Sequence, residues 1–152
     1  MHFEGTQTIN APIEKVWTFL MDPRQVGPCM PGFQSVEVID DKNFKARVGV
    51  GVGLVKATFT MDMAMVDLDP PNRATVKAHG VAPASAVDMT STMNLSDAGG
   101  ATSLRWSADV TVSGTLASLG ARLMQSTAQK MTGQFFRCLQ EKLEAEPAPS
   151  GS

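Results

Sequence analysis

The alternation of hydrophobic and polar positions changes its period along the chain and so separates strands from helices. A first strand is predicted over roughly residues 2–10, where apolar and polar side chains alternate. An apolar stripe at helical spacing follows over 13–20, with Asn10 as the expected helix cap and Pro12 in the first turn. The segment 22–32 contains three prolines and two glycines, which predicts a loop with at most one short helical turn.

From residue 33 to about residue 114 the period is two, which predicts six further strands. They are expected at about residues 33–39, 44–52, 54–68, 73–81 and 85–95, with a last strand that carries Leu104 to Val112. The turns between them contain Asp, Asn, Pro and Gly, the residues that tight turns favour. After Gly114 the period becomes 3.6, and one apolar stripe predicts a helix of about 30 residues, roughly 45 Å long. Its members are Leu116, Leu119, Leu123, Met131, Phe135, Leu139 and Leu143.

These elements predict one α+β domain over residues 1–144. We expect a curved antiparallel sheet of about seven strands around a long C-terminal helix, with two short helices after the first strand. Residues 145–152 have the composition of a linker and are expected to be disordered.

Composition narrows the classes of function. The 152 residues are 43% hydrophobic and 18% charged, with a net charge of −2, so a whole-domain basic footprint for nucleic acid is excluded. The sequence has neither the apolar core of a signal peptide nor a membrane-spanning stretch. Cys29 and Cys138 lie far apart without metal-ligand spacing, so we expect two reduced thiols in a cytosolic protein, with no zinc site and no disulfide.

Ten methionines are the unusual feature of the composition. Seven of them fall on faces predicted to point inward: Met61, Met63, Met65, Met89, Met93, Met124 and Met131. Ordinary core packing explains any single one. Together, however, they lie on or opposite a helix whose first half has small residues, which leaves volume unfilled. Methionine side chains are flexible, so such a space suits a cavity that adapts to an apolar ligand.

Few residues suggest catalysis. His79 shares the predicted outer face of its strand with Lys77, and neither His79 nor His2 has a carboxylate nearby in sequence to orient it. Asp88 and Asp109 are expected to be solvated. The glycines at 49, 51 and 53 precede a strand rather than a helix, so they do not form a phosphate loop. They predict instead a hairpin that a helix or a ligand can approach closely.

Two sets of residues carry a resemblance to known proteins. Residues 10–20, NAPIEKVWTFL, resemble the opening of the START and Bet v 1-like (SRPBCC) superfamily, whose members have the helix-grip fold. Met21-Asp22-Pro23 followed by Cys29-Met30-Pro31-Gly32, and the glycine hairpin running into residues 55–59, are similar to CoxG, a family of carbon monoxide dehydrogenase subunits. The resemblance covers about residues 1–144.

The resemblance implies a cavity between the sheet and the long helix that holds a hydrophobic molecule. It implies a partner, a carbon monoxide dehydrogenase or related molybdenum hydroxylase, and a cytoplasmic location peripheral to the inner face of the cell membrane. Family members often attach to the membrane through a C-terminal extension. The 152 residues stop at Pro147-Ala148-Pro149-Ser150-Gly151-Ser152, so attachment by that route is left open. A menaquinone-like quinone would connect the enzyme's electrons with the membrane. No catalytic residue transfers from the family.

We therefore predict a non-enzymatic carrier or adaptor with a ligand-binding interior, in which Ser91 or Thr127 orients a polar head group. The predicted lining is Phe59, Met61, Met63, Met89, Ser91, Met93, Trp106, Leu119, Leu123, Met124, Thr127 and Met131. The predicted gate loop contains Val26, Met30 and Pro31. Two alternatives stay open: a cyclase or dehydratase, which needs a histidine or carboxylate inside the cavity, and a docking adaptor with a solid core.

Overall fold

Seven antiparallel strands form a single sheet in the computed structural model, which describes residues 1–144. The strands are β1 (His2–Ile9), β2 (Phe33–Val38), β3 (Asn43–Val52), β4 (Val55–Asp69), β5 (Arg73–Ala82), β6 (Ser85–Ala98) and β7 (Ala101–Gly114). Their order across the sheet is β1-β7-β6-β5-β4-β3-β2, so consecutive strands from β2 to β7 are neighbours and β1 closes onto β7. The predicted fold class is confirmed.

Three α-helices accompany the sheet. They are α1 (Ile13–Leu20), α2 (Pro23–Val26) and α3 (Ala121–Glu144), with short 3₁₀ turns at Gly27–Cys29 and Ala117–Leu119. Two short helices thus follow the first strand, and one long helix ends the described chain. Within residues 1–144 no helix is long and apolar enough to cross a membrane.

Two details of the helices differ from the prediction. Pro12, not Asn10, is the N-cap of α1, and no side chain caps this helix. The Asn10 N–H instead donates to a carboxylate oxygen of Glu144 at 2.9 Å, which ties the start of α1 to the end of α3. The long helix also begins later than the apolar stripe does. Gly120 has a φ of 97°, outside the helical range, so Leu116 and Leu119 precede α3 and the helix has 24 residues.

The largest part of the core lies where the second half of α3 and α1 cover the sheet. Ile9, Val16, Leu104 and Leu139 are completely buried there. Phe136 and Leu143 of α3 join them. A smaller cluster around Phe44, Val48, Met63 and Met65 fills the inner face of β3 and β4, and a third contains Val52, Phe59 and Leu116. The buried strand positions match the inner faces that the alternating pattern predicts, except Thr75, which is 5% exposed although it shares the predicted solvated face of Lys77 and His79.

The cysteines correct one expectation. Cys29 and Cys138 form a disulfide, with their Cα atoms 5.3 Å apart, so the prediction of two reduced thiols is wrong. The residues are 109 positions apart in sequence, and only the packing of α3 against the 3₁₀ turn at Gly27–Cys29 brings them together. The prediction of a disordered tail over 145–152 lies outside the described residues.

Candidate functional site

A cleft of about 520 Å³ lies between the first half of α3 and the hairpin that joins β3 to β4. The loop before β2 forms a third wall. The lining residues are Pro31, Gly32, Gly49, Val50, Gly51, Gly53, Leu123, Ser126, Thr127, Lys130, Met131 and Gln134. This volume falls within the range of small-molecule sites.

Incomplete packing of α3 creates the cleft. All buried side chains of this helix lie in its second half, at Phe136, Leu139 and Leu143. In the first half Leu123 is 38% exposed, although leucines on a core-facing helix are normally covered. The opposite wall has bare backbone: a Cβ added to Gly53 would lie 3.3 Å from the Leu123 Cδ2. The predicted close approach of a helix to the glycine hairpin is therefore confirmed.

The loop wall is fixed to the sheet by a second glycine contact. The Gly49 N–H donates to the Gly32 carbonyl oxygen at 2.8 Å. Gly32 has a φ of 79°, and a Cβ there would collide with the carbonyl oxygen of Gly49. Only glycine satisfies both conditions. Of the predicted gate loop, Pro31 lines the cleft, whereas Val26 packs on the first core cluster and Met30 on the second.

The structure brings three predicted lining residues to the cleft, namely Leu123, Thr127 and Met131. Met124 and Leu119 lie on the inner side and pack against the third core cluster. Sequence reasoning missed Ser126, Lys130 and Gln134, polar residues on the same side of α3. Their spacing of four with one another, continuing the side of the helix that carries Leu123, is the pattern that could have revealed them.

The predicted residues of the strands lie deeper. Phe59 is buried in the third cluster, Met63 in the second, and Met61 contacts both. Met89 packs on the second cluster and Met93 on the first. These side chains form the floor between the sheet and α3.

Ser91 does not offer a free hydroxyl. Its Oγ donates to the Ser107 carbonyl oxygen of β7 at 3.1 Å. Of the two residues predicted to orient a head group, only Thr127 lines the cleft.

Trp106 holds the one buried side-chain polar atom that has no hydrogen-bond partner within residues 1–144, its Nε1. The indole lies against Gly5, where an added Cβ would be 3.0 Å from this nitrogen, and its centroid is 5.9 Å from that of Phe136. Leaving a buried N–H unpaired costs about 1–3 kcal/mol. Trp106 thus contacts the packed half of α3 through Phe136 and is not among the residues that line the cleft.

A second groove, of about 480 Å³, lies on the outer face of the sheet. It collects the predicted solvated residues: His79, Asp88 and Asp109 line it. The interpretation that neither histidine has a carboxylate to orient it is wrong: neighbouring strands supply one to each, and Glu4 of β1 also lies 2.9 Å from His2 Nε2. His79 Nδ1 lies 2.7 Å from an Asp88 oxygen, and His2 Nδ1 lies 2.8 Å from an Asp109 oxygen.

Both pairs are more than half exposed, which weakens them. The hydrogen bond with Asp109 raises the pKa of the His2 imidazole above its ordinary 6.5. No histidine or carboxylate of the outer groove faces the interior. Within residues 1–144 no group of three or more His, Cys, Asp or Glu side chains is arranged to hold a metal ion.

The sequence matches a family model over residues 5–144, and that model describes CoxG, a carbon monoxide dehydrogenase subunit. No curated protein matches the chain.

Solved structures share the fold. A conserved protein from Geobacillus kaustophilus superposes with a TM-score of 0.89 at 24% identity, covering 95% of this chain and 96% of its own. The Zhui aromatase/cyclase from Streptomyces sp. R1128 has a TM-score of 0.74 at 20% identity, covering 100% and 99%. A START superfamily protein from Mycobacterium smegmatis has a TM-score of 0.72 at 12% identity, covering 95% and 97%.

Proposed function

Because the chain belongs to the CoxG family of carbon monoxide dehydrogenase subunits, we propose that it is a non-enzymatic binding protein that carries a quinone for a molybdenum-containing carbon monoxide dehydrogenase or a related hydroxylase. A menaquinone-like molecule would occupy the space between α3 and the sheet. In this role the protein moves the quinone between the enzyme and the membrane, or holds the enzyme there.

The cleft beside the first half of α3 is the observation that carries the proposal. Its volume of about 520 Å³ suits a ring with part of an isoprenoid chain. Leu123 and Met131 supply apolar walls, and the covering half-helix contributes no buried side chain to the core. A ligand would therefore replace water, not protein contacts, along this wall.

The methionines below the cleft favour a guest of variable shape. Met61, Met89 and Met124 are half-buried and border the core clusters without being fully enclosed. Methionine has three rotatable side-chain bonds and a polarizable sulfur, so it can repack around a ring more readily than a branched side chain.

Trp106 supports a ligand that carries oxygen acceptors. Its buried Nε1–H lacks a partner among residues 1–144, and a quinone has two ring carbonyl oxygens able to accept this hydrogen bond. The bond would remove the penalty of the unpaired donor at the moment of binding. A hydrocarbon without acceptors would not.

The partner follows from the family to which the chain belongs. A subunit named for carbon monoxide dehydrogenase has to serve that enzyme, and a bound quinone gives the enzyme's electrons an acceptor. The cyclase alternative draws on a shared fold with the Streptomyces enzyme only, and His79, Asp88 and Asp109 lie on the outside of the sheet. No observation favours it over the carrier.

The test is calorimetric titration of a short-chain menaquinone analogue into the wild-type protein and into Trp106→Phe. We expect saturable binding that weakens about 2- to 12-fold in Trp106→Phe, the equivalent of one neutral hydrogen bond. Trp17→Phe is the matched control and should bind as the wild type does. An analogue without ring oxygens should not distinguish the variants. Absence of saturable binding, together with no bound quinone in native mass spectra, would refute the carrier.

A further inference from the structure

The end of the molecule that bears the cleft has a different charge from the rest. Three segments line the cleft: residues 31–32, 49–53 and 123–134. Together with the nearby Lys56 and Arg122 they contain three cationic side chains and none of the 15 Asp and Glu side chains, although the net charge of the chain is −2. The mouth of the cleft is therefore basic.

The mouth of the cleft also carries exposed apolar side chains. Leu54, at the tip of the β3–β4 hairpin, is completely exposed, and Leu123 is 38% exposed and contacts Gly53 beside it. A fully exposed leucine on a protruding glycine turn gains nothing in the folded monomer. Three exposed cations belong to the same elements as these leucines. Arg122 precedes Leu123 in α3, Lys56 pairs with Gly51 in the β3–β4 hairpin, and Lys130 lines the cleft. Within the described residues none of the three has a carboxylate partner.

We infer that this rim, defined as Leu54, Lys56, Arg122, Leu123 and Lys130, is a surface that docks on an anionic lipid bilayer. Leu54 enters the head-group region, and the three cations contact lipid phosphates. The inference rests on the proposed function in one respect: docking through the rim turns the open cleft toward the bilayer, in which an apolar ligand dissolves.

A bilayer fits the rim better than a second protein does. A protein partner needs a complementary surface of some 800 Å² on each side, with aromatic anchors in pockets. The rim has two exposed leucines, Leu54 and Leu123, three flexible cationic side chains and no aromatic residue. A fluid surface of negative charge satisfies such groups without shape complementarity.

Co-sedimentation with vesicles tests the inference. The protein should bind vesicles of phosphatidylcholine with phosphatidylglycerol, bind phosphatidylcholine alone far more weakly, and dissociate as salt is raised. The triple variant Lys56→Gln, Arg122→Gln, Lys130→Gln should bind about 100-fold more weakly, since each cation contributes about fivefold near an anionic surface. Leu54→Ser should bind about tenfold more weakly.

Matched controls separate the rim from general charge. The triple variant Arg73→Gln, Lys77→Gln, Arg105→Gln removes the same charge from exposed positions elsewhere. Ile39→Ser removes an exposed apolar side chain, 53% exposed, at the opposite end of β3. Both should keep most of the binding. Equal losses in the rim and control variants would overturn the inference.

Depth distinguishes insertion from surface attraction. Brominated lipids should quench the added emission of Leu54→Trp and leave that of Ile39→Trp unchanged. Two outcomes would refute the lipid assignment. One is that brominated lipids quench neither tryptophan. The other is that the rim variants lose dehydrogenase binding while their vesicle binding is unchanged, which would assign the rim to a protein partner. The menaquinone titration should be unaffected by Leu54→Ser, Lys56→Gln and Arg122→Gln, which change side chains outside the lining of the cleft. Its failure in the wild type, with vesicle binding intact, would remove the proposed function and leave this surface standing.

Discussion

Replacing Cys29 and Cys138 together with alanine is expected to lower the free energy of unfolding by about 5 kcal/mol. The disulfide closes a loop whose ends are 109 residues apart, which makes it a long-range crosslink. In the chain-entropy treatment a loop of this length removes about 16 cal/mol/K from the unfolded state, or about 4.8 kcal/mol at 25 °C. Most of this stabilisation acts on the unfolded chain, so the native fold of the variant should be unchanged.

The expected shift in melting temperature follows from chain length. An unfolding entropy of about 2.1 cal/mol/K per residue gives roughly 300 cal/mol/K for the 144 described residues. A loss of about 4.8 kcal/mol then lowers the midpoint by about 16 °C. Such a shift is several times larger than that of an ordinary surface substitution.

Differential scanning calorimetry of three samples provides the measurement. These are the oxidised wild type, the wild type with a thiol reductant, and the double alanine variant. The second and third should melt together, well below the first, and the reductant should not move the melting of the double variant. Cys138→Ala alone should match the double variant, because one remaining thiol cannot form the bridge.

Two results would refute this reasoning. One is a midpoint of the double variant within about 3 °C of the oxidised wild type, which corresponds to less than about 1 kcal/mol. The other is labelling of two free thiols in the native protein without reductant. The second result would also restore the sequence-based expectation of reduced cysteines.

Three further predictions concern the walls of the cleft and the outer face. Gly32→Ala should lower the free energy of unfolding, measured in urea, by at least about 2 kcal/mol, because the added methyl group is strained at a positive φ and collides with the Gly49 carbonyl oxygen. Gly51→Ala is the control and should be nearly neutral, since nothing lies within 4 Å of an added Cβ there. Equal losses in the two variants would contradict this prediction. The pKa of the His2 imidazole should exceed 6.5 in an NMR titration and should fall in Asp109→Asn. Because the pKa is raised in the folded state, the contribution of His2 to the free energy of unfolding is present below pH 6.5 and is lost as the pH rises through the folded pKa. A pKa that Asp109→Asn leaves unchanged would refute the hydrogen bond as its cause. Amides in the first half of α3 should exchange with solvent faster than those in the second half, since every fully buried side chain of the helix lies in the second half. Uniform protection would show that the cleft is closed in solution.

The sheet was predictable because its strands are long and each buries one face. Along β4, for example, Phe59, Met61, Met63 and Met65 pack on the core while Thr60, Asp62 and Ala64 lie on the other face, so a period of two is unmistakable up to the register shift after Val66. Turn chemistry then located the strand ends to within a few residues. The same pattern indicated the faces of His79 and Asp88 correctly.

The rest depended on contacts between distant parts of the chain. Periodicity gives the face on which a residue lies but not the distance between two elements, so it predicted apolar lining residues and missed Lys130 and Gln134 across the glycine hairpin. Gly120 interrupts an apolar stripe that looks continuous, because one glycine costs a helix only about 1 kcal/mol and leaves no signature in the pattern. Asp88 and Asp109 reach the two histidines from neighbouring strands, and sequence distance gives no indication of such pairs. Glu4, the second partner of His2, lies only two residues away, and sequence reasoning missed it.

The disulfide and the cleft together indicate which wall moves when a ligand enters. The loop before β2 is joined to the second half of α3 through Cys29 and to β3 through the backbone bond at Gly32, so moving it would break covalent and hydrogen-bonded attachments at once. The first half of α3 has no such attachment: it begins after Gly120, lacks buried side chains, and reaches the exposed Gly133 before the packed half begins. Displacing it exposes little apolar surface, and the free energy of local opening scales with the surface exposed. Opening therefore falls on the half-helix that carries Leu123 and Lys130, which is also the half that the rim would place against the bilayer.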